Sequence, residues 1–73
     1  MITLTQAKSL KPGTILYHEV NKNSDGTKQR WKVNGKPKTW KQVPEMVRVP
    51  VKYGLYSYDY VTDMHLDCVS LQP

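Results

Sequence analysis

The sequence predicts a mainly β fold, a small antiparallel barrel of the SH3-like or OB-like kind with about five short strands and one short N-terminal helix. Three observations point there. The chain has 73 residues, enough for one small domain spanning 1–73. Its β-branched and aromatic residues fall into short alternating runs between Gly, Pro and Asn-Asp clusters. It shows no repeat and no βαβ alternation, which argues against a parallel sheet, and too little helical periodicity for a helix-turn-helix.

The elements follow in order. Thr3-Leu4-Thr5-Gln6 fits a capping box, so a helix is expected over about residues 4 to 10, with Leu4, Ala7 and Leu10 on one face. Lys11-Pro12-Gly13 stops it, because proline disfavours helix at the preceding residue. Thr14 to Val20 reads as a strand, with Leu16, His18 and Val20 on one face and Ile15, Tyr17 and Glu19 on the other. Asn21 to Thr27 is a polar loop containing Asp-Gly.

Lys28 to Val33 is the next strand, and Asn34-Gly35 is the strongest turn signal in the chain. Read as a two-residue type I′ turn, it returns the chain over Lys36 to Val43. That register puts Lys28, Arg30, Lys32 and Lys41 on one face with Pro37 and Thr39. Gln29, Trp31, Val33, Lys36, Lys38 and Trp40 fall on the other. Met46 to Tyr53 alternates, with Val47, Val49, Val51 and Tyr53 facing one way and Arg48, Pro50 and Lys52 the other. Gly54 turns the chain into Leu55 to Val61, whose Tyr56, Tyr58 and Tyr60 share a face. Thr62-Asp63 caps a short turn, and Leu66 to Leu71 closes the fold.

Charge is uneven. All eleven Lys and Arg lie in residues 8 to 52, and against three acids there they give +8; beyond, only Asp59, Asp63 and Asp67 are charged. Such asymmetry suits a polyanionic partner. The competing reading is that the acidic C-terminal segment lies against the basic sheet and neutralises it. The basic hairpin supports nucleic-acid contact: Lys28, Arg30, Lys32 and Lys41 on phosphates, assisted by Lys36 and Lys38, with Trp40 stacking on a base and Trp31 in the core. DNA and RNA are equally open as partners. Against this stands the reading in which both tryptophans anchor the core of a chain that has no Phe. The tyrosines Tyr56, Tyr58 and Tyr60 either pack against the valines of the preceding strand or form a surface for a host protein or a second copy.

Catalytic chemistry finds little support. His18 and His65 lie in separate elements, Cys68 sits in an apolar-leaning segment, and no phosphate-binding glycine loop is present. Asp63, His65, Asp67 and His18 match no structural zinc spacing. No catalytic residues, metal, cofactor or small-molecule substrate are therefore expected. One cysteine allows no internal disulfide, which fits a reducing, cytoplasmic setting or a dimer through Cys68. The N-terminus has no secretory pattern, and no apolar run approaches the ~20 residues of a membrane span.

Arg30-Trp31-Lys32-Val33-Asn34-Gly35-Lys36-Pro37-Lys38-Thr39-Trp40-Lys41 and Val49-Pro50-Val51-Lys52-Tyr53-Gly54-Leu55-Tyr56 resemble small uncharacterised proteins of phages and other mobile elements. With Lys11 to Leu16 ahead of them, the similarity spans most of the chain. The resemblance implies a setting, a short accessory protein expressed during infection or carried as mobile cargo. It carries no activity and no functional residues.

Overall fold

Thr3 and Gln6 close the capping box expected of them. The Gln6 amide donates to Thr3 Oγ1 at 3.1 Å and the Thr3 amide to Gln6 Oε1 at 2.8 Å. The helix they start, α1 (Leu4–Lys8), is shorter than the sequence suggests, but Ala7 and Leu10 are buried and Leu4 packs beside them as expected. The Lys8 ammonium ties its end to the Pro44 carbonyl. The computed structural model describes residues 1–73.

Six antiparallel strands make one sheet: β1 (Ile15–Lys22), β2 (Lys28–Val33), β3 (Lys38–Thr39), β4 (Val47–Tyr53), β5 (Ser57–Thr62) and β6 (Val69–Ser70). β1 pairs β2 and β6, while β4 pairs β2, β3 and β5. β5 and β6 are the outer strands and do not pair with each other, so the sheet is open rather than a closed barrel. A 3-10 turn (Asp63–His65), capped by Thr62, leads from β5 towards β6.

The Asn34-Gly35 hairpin does not form. Neither residue has the positive φ that a type I′ turn requires of both central positions. The chain instead runs on in the same direction. Lys32 and Val33 pair Lys52 and Val51, the Asn34 amide donates to the Pro50 carbonyl at 2.8 Å, and Lys38 and Thr39 pair Arg48 and Val47. β5 takes the other edge of β4 from Arg48 to Tyr53, so β2 and β3 share one edge as a single interrupted strand. Four residues lie between Val33 and Lys38 where two lie between Arg48 and Val51, which leaves two extra residues in a bulge around Gly35–Pro37.

Pro50 accounts for the bulge's position. Its carbonyl points to Asn34, so its nitrogen faces the same edge, and that nitrogen has no proton to give. A partner strand need offer no acceptor there. A Cβ built on Gly35 would lie 3.0 Å from Pro50 Cγ, so glycine is what lets the bulge lie close over the proline. The tight β1–β2 turn belongs instead to Asn23–Thr27, where Gly26 has φ of +86° and the Asn23 amide donates to the Thr27 carbonyl.

The face of β2 and β4 turned inward makes the core. Leu16, Trp31, Val33, Val47, Val49, Val51, Val61 and Val69 are buried together with Ile2, Ala7 and Leu10. Trp31 is stacked on Tyr53 at 5.1 Å and meets the tilted His18 ring at 4.7 Å. The alternation expected of β1 fails after His18. Between Tyr17 and Lys22 the strand carries three residues more than its β2 partner, and Val20, expected beside Leu16, is 70% exposed. His18 holds this bulge: its Nδ1 accepts from the amides of Val20 at 3.1 Å and Asn21 at 2.8 Å.

Candidate functional site

Because cross-strand partners share a face, the register alone composes the outer surface of the sheet. One row runs Ile15, Lys32, Lys52, Tyr58 across β1, β2, β4 and β5. A second places Tyr60 beside Pro50, and a third runs Lys38, Arg48, Thr62 across β3, β4 and β5. Arg30 lies in the same surface, paired with Tyr17. Five cations, Arg30, Lys32, Lys38, Arg48 and Lys52, therefore stand on one face. The rows contain no carboxylate; Asp59 faces the other way, opposite Val51.

Aromatic rings are interleaved with these cations. The Arg48 guanidinium lies 5.1 Å from the Tyr60 ring and 6.0 Å from Trp40. The Lys38 ammonium is 5.4 Å from Trp40, and that of Lys52 is 5.6 Å from Tyr58. Tyr58 and Tyr60 keep 63% and 50% of their surface exposed, so the tyrosines do not pack on the valines of β4, which face the core from the opposite side. Tyr56 falls in the Gly54–Tyr56 turn, off the strand and fully in solvent.

The cations expected to form one hairpin patch are distributed differently. Arg30 and Lys32 are exposed on the outer face. Lys28 is held by Glu19, with Nζ 3.3 Å from Oε2, and is half-buried. Lys41 lies in the loop after β3, far along the chain from any pairing with Lys28, and Lys36 sits exposed on the bulge. Lys38 and Trp40 reach the face from β3, with Trp40 half-buried and Trp31 in the core. Arg48 and Lys52 are the residues that the hairpin reading left out. Their signal was present: they alternate with Pro50 on a strand followed by a glycine turn and tyrosines at every second position.

The C-terminal acids do not cover this surface. Apart from the N-terminal amine with Glu19, the only ion pair is Lys28–Glu19, and Asp59, Asp63 and Asp67 pair with no Lys or Arg. The neutralisation of the basic sheet by the acidic segment does not occur through such contacts.

The remaining polar side chains are engaged locally. His65 Nδ1 meets Thr62, Cys68 Sγ lies 3.7 Å from Asp67 Oδ1, and His18 Nδ1 serves the β1 bulge, so no hydrogen bond joins His18, His65 and Cys68. No three His, Cys, Asp or Glu side chains converge as metal ligands. Burial, the nearby His65 charge and, in the opposite sense, Glu19 act on His18, and the net effect holds its pKa below the ordinary value. No helix is long and apolar enough to cross a membrane. Comparison of the chain with protein-family models, curated proteins and solved structures finds no match.

Proposed function

We propose that this protein is a non-enzymatic nucleic-acid-binding module that holds a single strand across the outer face of β2 to β5. The observation that carries this is the interleaving of Lys38, Arg48 and Lys52 with Trp40, Tyr60 and Tyr58, in cross-strand rows whose paired residues include no carboxylate. Phosphates would neutralise cations that now repel one another across the strands, and exposed rings offer π faces to any base. Contacts of this kind are tolerant of sequence. The open sheet is read as a small barrel of SH3-like type, since its last strand returns to β1 after a 3-10 turn. The setting is a short accessory protein of a phage or other mobile element, on the resemblance alone, and a cytoplasmic one on the single cysteine.

Binding of a fluorescent single strand of about 10 nucleotides at about 50 mM salt tests the reading. Arg48→Glu and Lys52→Glu should each weaken binding about tenfold or more. Absence of binding by the parent protein would refute it.

A protein partner is the second reading, favoured by the unpaired outer edge of β5 and its exposed tyrosines. That edge is partly blunted. Tyr60, opposite Pro50, turns its amide away from β4, and this amide donates to Asp59 Oδ1 at 2.7 Å. A partner docked on the tyrosines should respond to Tyr58→Ala more than to Lys52→Glu.

A further inference from the structure

Beyond sequence-tolerant contact, the geometry points to one base-selective position: we propose that the cleft beside Trp40 holds a single unpaired guanine of the bound strand. This rests on the nucleic-acid reading of the outer face. The cleft measures about 240 Å³, below the range of drug-sized ligand pockets, which suits one base better than a larger ligand. Trp40 and Met64 line it with Arg48 and Asp63. Met64 is 82% exposed although the cleft gives it apolar neighbours, so an adaptable thioether stands ready to pack on an inserted ring. Lys38 and Arg48, both beside Trp40, supply charge for the phosphates flanking that base. The cleft thus continues the cationic row.

Asp63 sets the selectivity. Its Oδ1 accepts a long hydrogen bond from the Val47 amide at 3.4 Å, while Oδ2 has no hydrogen-bond partner within the chain. A carboxylate only accepts. Guanine alone presents two adjacent donors on its pairing edge, N1–H and the N2 amino group, which match the two oxygens. Adenine and cytosine set a ring-nitrogen acceptor beside their amino group, and uracil flanks its one N–H with two carbonyls. Each of these brings a lone pair against the carboxylate, an arrangement that costs affinity.

The test uses short oligouridylates, either unmodified or carrying one central G, A or C, with quenching of tryptophan fluorescence as the readout. The G-containing strand should bind about tenfold more tightly than the other three. Asp63→Asn should bring the four within about twofold of one another, through loss of the paired guanine contact and relief of the lone-pair repulsion on the other bases. Equal binding of all four strands by the parent protein overturns the guanine site and leaves the wider reading intact. A G preference that survives Asp63→Asn also overturns it. If none of the strands binds, both readings fall.

Discussion

The Arg48 guanidinium lies 5.1 Å from the Tyr60 ring and 6.0 Å from the Trp40 ring, so a single cation is shared between β5 and the end of β3. Cation–π contacts at exposed sites contribute about 0.5–1 kcal/mol each. Their larger consequence is positional, because they hold the guanidinium between two surfaces on which bases can stack. Tyr60→Ala should therefore weaken binding of a single strand about fivefold or more, with little change in the salt dependence, since a stacking base is worth about 1–3 kcal/mol and carries no charge. Filter binding at two salt concentrations separates these effects. A steeper loss at high salt than at low salt would assign Tyr60 a different role.

Lys28 provides an internal control. Its ammonium is committed to Glu19 at 3.3 Å, whereas that of Lys52, equally half-buried, is directed at Tyr58 on the outer face. Lys28→Gln should change nucleic-acid affinity by less than about threefold, and Lys52→Gln by clearly more. The reverse ranking would contradict the assignment of binding to the outer face.

The contact of Gly35 with Pro50 makes the bulge testable. Gly35→Ala should destabilise the fold by about 1 kcal/mol or more, because the new methyl meets the proline ring. In a Pro50→Ala background the penalty should shrink, a coupling that a double-mutant cycle from urea melts would measure. An unchanged penalty would place its origin elsewhere than in the contact with Pro50.

His18 predicts a pH dependence. Its Nδ1 accepts two amides, so the folded state favours the neutral ring and its pKa is lowered, by burial first, then by His65, against an opposing effect of Glu19. The unfolded chain then binds the proton more readily than the folded one. Stability from this group is complete above about pH 6.5, the ordinary histidine value, and declines as pH falls through that value towards the lower folded pKa. Melting temperature should drop between pH 7.5 and 5.5, and His18→Ala should flatten the drop while lowering stability at pH 7.5 by loss of the bulge acceptor. An equal drop in the variant would assign the dependence to a group other than His18.

Much of the architecture was legible because local chemistry and tertiary structure agree. The Thr3–Gln6 box, the alternation of Val47, Val49 and Val51, and the capped turn after Thr62 all appear where the sequence places them. Asn34-Gly35 misleads because turn propensity is a local preference, whereas pairing of Lys32 to Thr39 along one edge of β4 is a long-range gain. Pro50, sixteen residues away, determines where the ladder can break. That error carried the site with it. It grouped Lys28 and Lys41 with Arg30 and Lys32, and separated the tyrosines from the cations that face them. Val20 and the β1 bulge were hidden for the same reason, since the extra residues count only against a partner strand and His18 offers no local sign of serving as their acceptor.

The most direct test of the outer face is the salt dependence of single-strand binding. Each phosphate neutralised contributes a slope of about −0.7 in log K against log salt, so engagement of three to five cations predicts a total of roughly −2 to −3.5. Arg48→Ala should make that slope shallower by about 0.7. A slope near zero, or one that Arg48→Ala leaves unchanged, would contradict the assignment of this face to nucleic acid.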